Sequence, residues 1–425
     1  MVKYSLLNRG NYFEDIISEI NSAKHFIVID TYIWVNDHIG RAVAKALLTA
    51  ANKRGVEVFI RNDLSGSVWE HTPGRKPMFF DKTDKSIKKV YNLTWGFLIP
   101  QNFIRLGKMV NNFKKRPKLK VNSLYASMRK SKNIHIMSLP FFNHGKVIAI
   151  DGKITYVGGQ CISKDYTEWI DYAYKIQDKD KSELILLRLL GQTSKSKDGF
   201  DFVTNYFSNS NESVHDSFMD FLKKVDSEIY IEMAYLSDKY IQPLVDIINR
   251  GISIYLVVSK ELDTNYHRNM RFLDRLLKAA KFSPKLHISL FEKEMVHTKG
   301  MVTSNMMTLG SNNFGTIDGY ALSMGEQNIF SKDAKLINPL LKQFKQDFMR
   351  GKRILTSADV PSWSNLAANR DLFGVLGFSC LAYGCRTSIS SARDAAEDQL
   401  KSILRRQLKK PAYGVGWKKL KKAVN

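Results

Sequence analysis

The sequence predicts an α/β protein built from two similar domains that are related by a pseudo-twofold axis, with an active site in the cleft between them. A histidine and a lysine two residues apart begin an apolar strand twice, as His144 with Lys146 and as His297 with Lys299, and the two histidines are 153 residues apart. A strand, a helix and a strand also follow one another in each half, an order that favours a sheet with crossover helices. At 425 residues the chain is longer than one core usually supports.

The elements of each half follow from the spacing of their apolar residues. In the first half, residues 26–30 and 56–60 are short apolar runs that predict strands, and residues 39–52 have the apolar spacing of a helix. The second half repeats this order. Its predicted elements are a helix that begins within 212–225, a strand at 228–232, a helix at 240–249 and a strand at 250–258.

Changes in composition predict the domain boundaries. Residues 191–211 are rich in Ser, Asn, Asp and Lys, which is typical of a linker, and they separate a first domain at 1–190 from a second at 212–350. The first domain includes a basic insertion at about 65–132, and residues 351–425 form a basic, partly apolar C-terminal tail.

The repeated histidine and lysine pairs predict a site for a phosphodiester. Side chains at positions i and i+2 of a strand point to the same face, so each imidazole lies beside an ammonium group. An imidazole can attack an electrophile or move a proton near neutral pH, and the ammonium can hold an anionic oxygen. With one pair from each half, one histidine can attack while the other protonates the leaving alkoxide, so the sequence predicts no metal and no cofactor.

These residues resemble the motif of the phospholipase D superfamily, HxKxxxxD followed by a glycine-rich turn, which occurs twice in one chain. Residues 29–34, the Arg54-Gly55-Val56 turn and the segment Trp169-Ile170-Asp171 are most similar to the cardiolipin synthase branch. The resemblance covers about residues 10–350. It implies two phospholipase D-like αβα domains and a phosphohistidine intermediate.

The resemblance also implies roles for individual residues. His144 is the expected nucleophile and His297 the expected acid and base. The two motif lysines and Asn313 are expected to grip the phosphate, with Ser311 in a supporting position. Asp151 completes the first motif and is expected to belong to the catalytic set.

Two acids and two departures from the motif complete the candidate site. Asp171 and Glu326 follow the two histidines by 27 and 29 residues, and the resemblance suggests that they orient the histidines across the cleft. A solvated acid at a strand end is the alternative for both. Ser304 stands where the second motif has aspartate in the family, and Cys161 stands where the first has asparagine. A catalytically impaired relative that only binds membranes is therefore one alternative function.

The charge distribution predicts an anionic partner. Of the formal net charge of +24, residues 71–132 carry +14 and residues 386–425 carry +8. Such clusters attract anionic lipid or nucleic acid. An apolar, aromatic stretch at 91–104, an apolar run at 372–385 and Trp417 are typical of segments that lie in a bilayer interface. A solvated insertion and a C-terminal helix docked on the body are the alternatives.

The leading functional prediction is an enzyme that transfers a phosphatidyl group from a phospholipid to an alcohol or to water at an anionic membrane surface. A nuclease or another phosphodiesterase that acts on nucleic acid is the main alternative, because the same site can cleave any phosphodiester. Three cysteines, no apolar leader in residues 1–10 and no apolar run of about 20 residues predict a cytoplasmic protein that is peripheral at the membrane.

Overall fold

The structure is a computed structural model. It describes residues 3–63, 66, 78–80, 121–139, 143–192, 198–205, 213–262, 265–315, 325–369, 386–410 and 418–424. Within these ranges the chain forms two mixed β-sheets, one from each half, with helices packed against them.

The first sheet has the strand order β1-β7-β6-β5-β2-β3-β4, in which β2, β3 and β4 are parallel and the other pairs are antiparallel. Its strands are β1 Lys3–Leu7, β2 Phe26–Thr31, β3 Glu57–Asp63, β4 Ile134–Leu139, β5 Val147–Ile150, β6 Ile154–Gly158 and β7 Ala173–Gln177. Its helices are α1 Tyr12–Ser22, α2 His38–Arg54, α3 Ser123–Lys130 and α4 Lys179–Leu189.

The second sheet has the order β15-β11-β10-β9-β12-β13-β14-β8, with β9, β10 and β11 parallel. Its strands are β8 Phe200–Thr204, β9 Ile229–Met233, β10 Ile254–Ser259, β11 Leu286–Phe291, β12 Lys299–Val302, β13 Met307–Gly310, β14 Gln327–Ser331 and β15 Lys352–Ile354. Its helices are α5 Val214–Lys223, α6 Ile241–Asn249, α7 Tyr266–Ala279 and α8 Ala334–Arg350.

The two sheets repeat one topology, which confirms the predicted fold class. From β8 to β11 the second sheet has the order and the strand directions of the first sheet from β1 to β4, and β15 is added at its edge. The repeat also shows that β8 is the counterpart of β1. Residues 200–204, which the composition assigned to a linker, are therefore an edge strand of the second sheet, paired with β14.

Local sequence features explain the bounds of the elements around the site. The carboxylate of Asp37 caps α2 by accepting a hydrogen bond from the backbone N–H of Gly40. Gly55 ends the helix in the left-handed conformation, with φ of 66°. The whole of β2 is buried because it has a helix layer on one face and the other half of the molecule on the opposite face.

The central core lies between the two sheets and includes the C-terminal tail. Helix α9, Arg386–Leu408, buries an apolar face in this core, and α10, Lys418–Val424, follows it. The buried side chains of α9 are Ala396, Leu400, Ile403, Leu404 and Leu408. The predicted alternative of a docked C-terminal helix is therefore correct for this part of the tail, whereas 372–385 and Trp417 lie outside the described residues.

The basic insertion returns to the core next to the site. Phe79 stacks on Trp34 with a ring-centroid distance of 4.6 Å, and its N–H donates to the carbonyl oxygen of Trp34 at 3.1 Å. Helix α3, within the same insertion, buries Tyr125 against Phe80. The aromatic stretch predicted at 91–104 lies outside the described residues. None of the helices that the structure describes combines the length and the apolar character needed to cross a bilayer.

Candidate active site

The two motif strands meet at the junction between the halves. The segment before β7 pairs with the segment before β12, since the N–H of Ile170 donates to the carbonyl oxygen of Met295 at 2.9 Å and the N–H of His297 donates to the carbonyl oxygen of Ile170 at 2.7 Å. This backbone pairing brings both histidines into one cleft, and both are buried.

Each histidine is held by an acid from the other half. Nδ1 of His144 lies 3.0 Å from Oε2 of Glu326, and Nδ1 of His297 lies 2.7 Å from Oδ2 of Asp171. The acids occupy equivalent places, because each precedes the strand that pairs with its own motif hairpin. The structure therefore brings together the four residues that the sequence placed across the cleft, and the Nδ1 contact of His144 leaves its Nε2 able to attack phosphorus.

Burial sets the charges of the site. Desolvation and then the charges of Lys146 and Lys299 hold the pKa of His144 well below its usual value, which favours the neutral imidazole that a nucleophile needs. Burial raises the pKa of Glu326 to about 7 and that of Asp171 to about 6, although nearby lysines oppose both shifts. The acids therefore titrate close to neutral pH.

Both motif lysines point back along their own strands toward the histidines. Nζ of Lys146 donates to the carbonyl oxygen of His144 at 2.5 Å. Nζ of Lys299 lies 2.8 Å and 2.9 Å from the two ring nitrogens of His297. Burial lowers the pKa of Lys146, and Glu326 and Asp171 are among the negative groups that oppose this shift. The two ammonium groups are thus removed from water, and the oxygens of a bound phosphate could accept the hydrogen bonds that water would otherwise accept.

Two glycines allow the halves to approach. A Cβ on Gly159 would lie 2.5 Å from Oδ1 of Asp171, and a Cβ on Gly145 would lie 2.3 Å from the side chain of Gln327. Any larger side chain would displace the carboxylate of Asp171 or the side chain of Gln327, which donates to Asp30. The glycine between the histidine and the lysine of the first motif is therefore required by packing across the cleft.

Ser311 and Asn313 follow β13 at the edge of the site. The hydroxyl of Ser311 donates to Oε2 of Glu326 at 2.5 Å and accepts from the N–H of Gln327 at 2.9 Å, so Ser311 fixes the acid that holds His144. Asn313 is half-buried, and its side-chain oxygen has no hydrogen-bond partner among the described residues. In the first half, Cys161 occupies the corresponding position, where it is buried and lies within hydrogen-bond reach of Tyr166.

Asp151 does not lie in the site, contrary to the sequence-based expectation. It is in the turn between β5 and β6, at the end of β5 away from His144, with φ of 53°. Its carboxylate accepts from the backbone N–H groups of Lys24, His25 and Phe26 at 2.8–3.0 Å. Because it ties this turn to the start of β2, its contacts are structural.

Ser304 lies in the equivalent turn of the second half. It is exposed, and its hydroxyl contacts that of Ser227 at 3.3 Å. The loss of aspartate in the second motif therefore changes a surface turn rather than the groups around His297.

Aromatic side chains around the histidines were not among the predicted site residues. The ring of Tyr32 lies 4.7 Å from that of His144 and 5.3 Å from Nζ of Lys146. Among the described residues, aromatic rings from both halves lie close to the ring of His297. These are Tyr166, Trp169 and Tyr235, at centroid distances of 5.1 Å, 5.3 Å and 6.2 Å. The sequence could have indicated Tyr32 and Tyr235, because each closely follows the central strand of its half.

A repeated α/β fold with two histidine and lysine pairs, each completed by an acid from the opposite half, defines a two-domain protein of the phospholipase D type. Residues 16–183 and 218–348 match the family model described as the cardiolipin synthase, phospholipase D-like domain. The chain belongs to this family, in the cardiolipin synthase-like branch of the phospholipase D superfamily.

Curated relatives agree with this assignment. The chain is 21% identical over 379 residues to a probable cardiolipin synthase, YwiE, of Bacillus subtilis, and the match covers 82% of this chain and 66% of the relative. It is 23% identical over 361 residues to cardiolipin synthase B of Shigella flexneri, with coverage of 78% and 76%. The chain thus spans about two thirds to three quarters of the length of these relatives.

A solved structure supports the fold alone. The crystal structure of phosphatidylserine synthase from Haemophilus influenzae matches with a TM-score of 0.58 and 11% identity, over 91% of this chain and 95% of that one.

Proposed function

We propose that this protein is a phosphatidyltransferase of the phospholipase D type, which moves a phosphatidyl group from a phospholipid to an alcohol or to water. The observation that carries the proposal is the pairing of each buried histidine with an acid from the other half, at 3.0 Å and 2.7 Å. This arrangement supplies one nucleophile and one proton donor to a single phosphorus atom.

In the first step, Nε2 of His144 attacks the phosphorus atom and forms a phosphorus–nitrogen bond. The bond from phosphorus to the leaving oxygen breaks, and the leaving alkoxide takes a proton from the imidazolium of His297. Glu326 accepts from Nδ1 of His144 and stabilises the positive charge that develops on its ring. Lys146 and Lys299 hold the other phosphoryl oxygens.

In the second step, the oxygen of an alcohol or water attacks the phosphohistidine. Its proton passes to His297, which is now neutral, and the phosphorus–nitrogen bond breaks to release His144. Asp171 stabilises the imidazolium that forms again on His297. The cycle uses side chains of this chain only. The proton that His297 gives to the leaving alkoxide is replaced by the proton of the attacking alcohol or water, so both histidines end in their starting state.

Phospholipid is the proposed substrate class. The curated relatives are cardiolipin synthases, and the two basic segments give the chain the charge that favours an anionic membrane surface. The protein would then act as a peripheral enzyme. Nucleic acid is the competing anionic substrate, and a direct comparison of the two substrates separates the proposals.

The test is turnover of phosphatidylglycerol vesicles labelled in the phosphate, with labelled single-stranded DNA as the competing substrate. We expect His144→Ala and His297→Ala each to lower the rate by about 10³-fold or more, because they remove the nucleophile and the proton donor. His297→Ala should accumulate label on His144. His287→Ala is the matched control and should keep the rate, because His287 lies on β11, where its ring stacks on that of Tyr255 of β10.

Near-normal turnover in either motif variant would contradict the two-histidine mechanism. Cleavage of the DNA with no turnover of lipid would replace the lipid proposal with the nuclease alternative. Chelator should leave the rate unchanged, and inhibition that a divalent ion reverses would contradict the direct histidine chemistry.

A further inference from the structure

The two halves differ in one buried position next to the motifs. Asp30 on β2 pairs in register with the residue that follows Lys146, and Glu232 on β9 pairs in register with the residue that follows Lys299. The two acids are therefore equivalent in the repeat, and both are buried. Their partners are not equivalent.

Asp30 accepts hydrogen bonds from a charged and from a neutral side chain. Nε and Nη2 of Arg61 donate to its two oxygens at 2.7 Å and 2.5 Å, and Nε2 of Gln327 donates to Oδ2 at 2.6 Å. Gln327 directly follows Glu326, the acid that holds His144. The ion pair with Arg61 thus anchors the strand that presents the orienting acid of the first histidine.

Glu232 has no counterpart of that arginine, because the residue on β10 in the position of Arg61 is Val257. Its side chain is 0% exposed. Neither of its carboxyl oxygens accepts a hydrogen bond from a donor within the described residues, and the charged groups that act on it, Asp347 of α8 and Asp171, are both acids. Two buried carboxyl groups, those of Glu232 and Asp347, therefore face each other.

The two carboxyl groups differ in the donors around them. Asp347 accepts from the hydroxyl of Tyr172 at 2.5 Å, from Nε2 of Gln343 at 3.1 Å and from Nη1 of Arg350 at 2.9 Å. These donors stabilise Asp347 as a carboxylate. Burial and the charge of Asp347 raise the pKa of Glu232 well above its usual value, so Glu232 holds the proton.

Tyr172 connects this carboxyl pair to the site. It directly follows Asp171, the acid that holds His297, and its N–H donates to Oδ1 of Asp171 at 2.9 Å. The residue after each orienting acid therefore donates to a buried carboxyl group: Gln327 donates to Asp30 itself, whereas Tyr172 donates to Asp347, the neighbour of Glu232.

We infer that Glu232 is a positioning residue that works as a carboxylic acid: its proton bridges to Asp347, and this bridge, continued through Tyr172, holds Asp171 against His297. The first half does the same task with an arginine, which keeps its charge at every pH. The second half does it with a proton, which is lost in alkaline solution. Loss of that proton would place two like charges in one buried contact and would loosen the support of His297.

The groups that face the pair come from every element around it. They are Asp171 and Tyr172 before β7, Asp347 and Arg350 on α8, and Thr298 before β12. Arg350 is about half exposed and also pairs with Glu294 at 2.6 Å, so solvent and a second acid reduce its effect on Asp347. It does not replace the buried arginine of the first half.

The first test needs no enzymatic activity. The infrared difference spectrum of the wild-type protein minus Glu232→Gln should contain the C=O band of a protonated carboxylic acid at neutral pH. Glu228→Gln is the matched control, because Glu228 lies just before the same strand, exposed and paired with Lys345, and should give only the bands of an ionised carboxylate. Carboxylate bands alone in the Glu232 spectrum would overturn the inference.

The second test is the pH dependence of unfolding. A raised pKa in the folded state gives stability that is complete below the unfolded pKa and is lost as the pH rises through the folded pKa. The wild-type protein should therefore lose stability relative to Glu232→Gln as the pH rises from the unfolded pKa of a glutamate through the raised folded pKa. Glu232→Leu, which cannot donate to Asp347, should be less stable than both. Equal slopes for the wild-type protein and Glu232→Gln would overturn the inference.

The kinetic test rests on the proposed function. With phosphatidylglycerol vesicles at neutral pH, Glu232→Gln should keep the rate within about twofold, and Glu232→Leu should lower kcat by about tenfold or more, because Gln retains a donor to Asp347. Equal losses in both variants would contradict a role for the proton. A wild-type protein without turnover would refute the proposed function and leave the infrared and unfolding tests unaffected.

Discussion

At the scale of single residues, the site depends on acids that are placed by the other half of the molecule. Glu326 and Asp171 each hold Nδ1 of a histidine, and burial moves their pKa values to about 7 and about 6. Because these values lie near neutral pH, the free energy of unfolding should depend on pH in this range, and so should the activity that we propose.

Glu326 gives a testable effect of pH on stability. Its folded-state pKa of about 7 is above the usual 4.5, so the stability that it contributes is complete below about pH 4.5 and is lost as the pH rises through about 7. Relative to Glu326→Gln, the wild-type protein should lose on the order of 3 kcal/mol between these values. Denaturant unfolding at several pH values measures this difference, and parallel curves for the two proteins would contradict it.

At the scale of elements, each motif hairpin has a functional end and a structural end. The functional end carries the histidine and the lysine. The opposite turn carries Asp151 in the first half and Ser304 in the second, and only Asp151 accepts hydrogen bonds from three backbone N–H groups of a neighbouring loop. The motif aspartate is thus a connection between elements.

This division predicts that Asp151→Ala reduces stability and spares catalysis. Removal of the carboxylate leaves three backbone donors without their acceptor and should cost about 1–3 kcal/mol. Ser304→Ala, in the equivalent turn, should stay within about 0.5 kcal/mol of the wild-type protein. Thermal unfolding and the lipid assay at a temperature below both transitions would separate the effects. A loss of kcat in folded Asp151→Ala would contradict a purely structural role for this residue.

Helix α9 is a second element with a testable role. Its face carries Leu400, Ile403 and Leu404 into the central core, so the C-terminal tail contributes to the body of the protein. Leu404→Ala should therefore reduce the free energy of unfolding by about 2–5 kcal/mol. Lys409→Ala, one position past the helix and exposed, should change it by less than about 0.5 kcal/mol. Equal stabilities of the two variants would show that the tail does not support the core.

At the scale of the whole molecule, the net charge is distributed unevenly along the chain. The segments 71–132 and 386–425 contribute +14 and +8 of the net +24. Each Lys or Arg near an anionic surface is worth about 1 kcal/mol, and the attraction fades within about 8 Å at physiological salt. The described part of the tail packs its apolar face into the core, so the attraction to an anionic membrane that we propose is electrostatic for this part.

The charge predicts selective and salt-dependent membrane binding. The full chain should cosediment with phosphatidylglycerol vesicles at low salt, should bind phosphatidylcholine vesicles much less, and should dissociate from the anionic vesicles in part as salt is added. Reversal of charge at Arg406 on α9 and at Lys409 just after it, both of them exposed, should weaken binding more than removal of the core side chain of Leu404 in a protein that is still folded. Indifference to lipid charge would contradict the proposed membrane surface.

The sequence by itself determined the repeat, the motif pairs and the α/β fold class, because strands and helices follow from the local spacing of apolar residues and a motif that occurs twice identifies two similar halves. It also identified Asp171 and Glu326 as candidate acids, although only by resemblance. These features depend on residues that are close in the chain or on comparison of one half with the other.

Only the tertiary structure decided which residues meet. It placed each acid on the histidine of the opposite half, moved Asp151 and Ser304 away from the chemistry, made β8 part of a sheet and docked α9 on the core. It also showed that Glu232 faces another acid where Asp30 faces an arginine. The physical reason is that these outcomes depend on contacts between residues far apart in the chain. Local patterns of hydrophobicity and charge do not determine which distant residues meet.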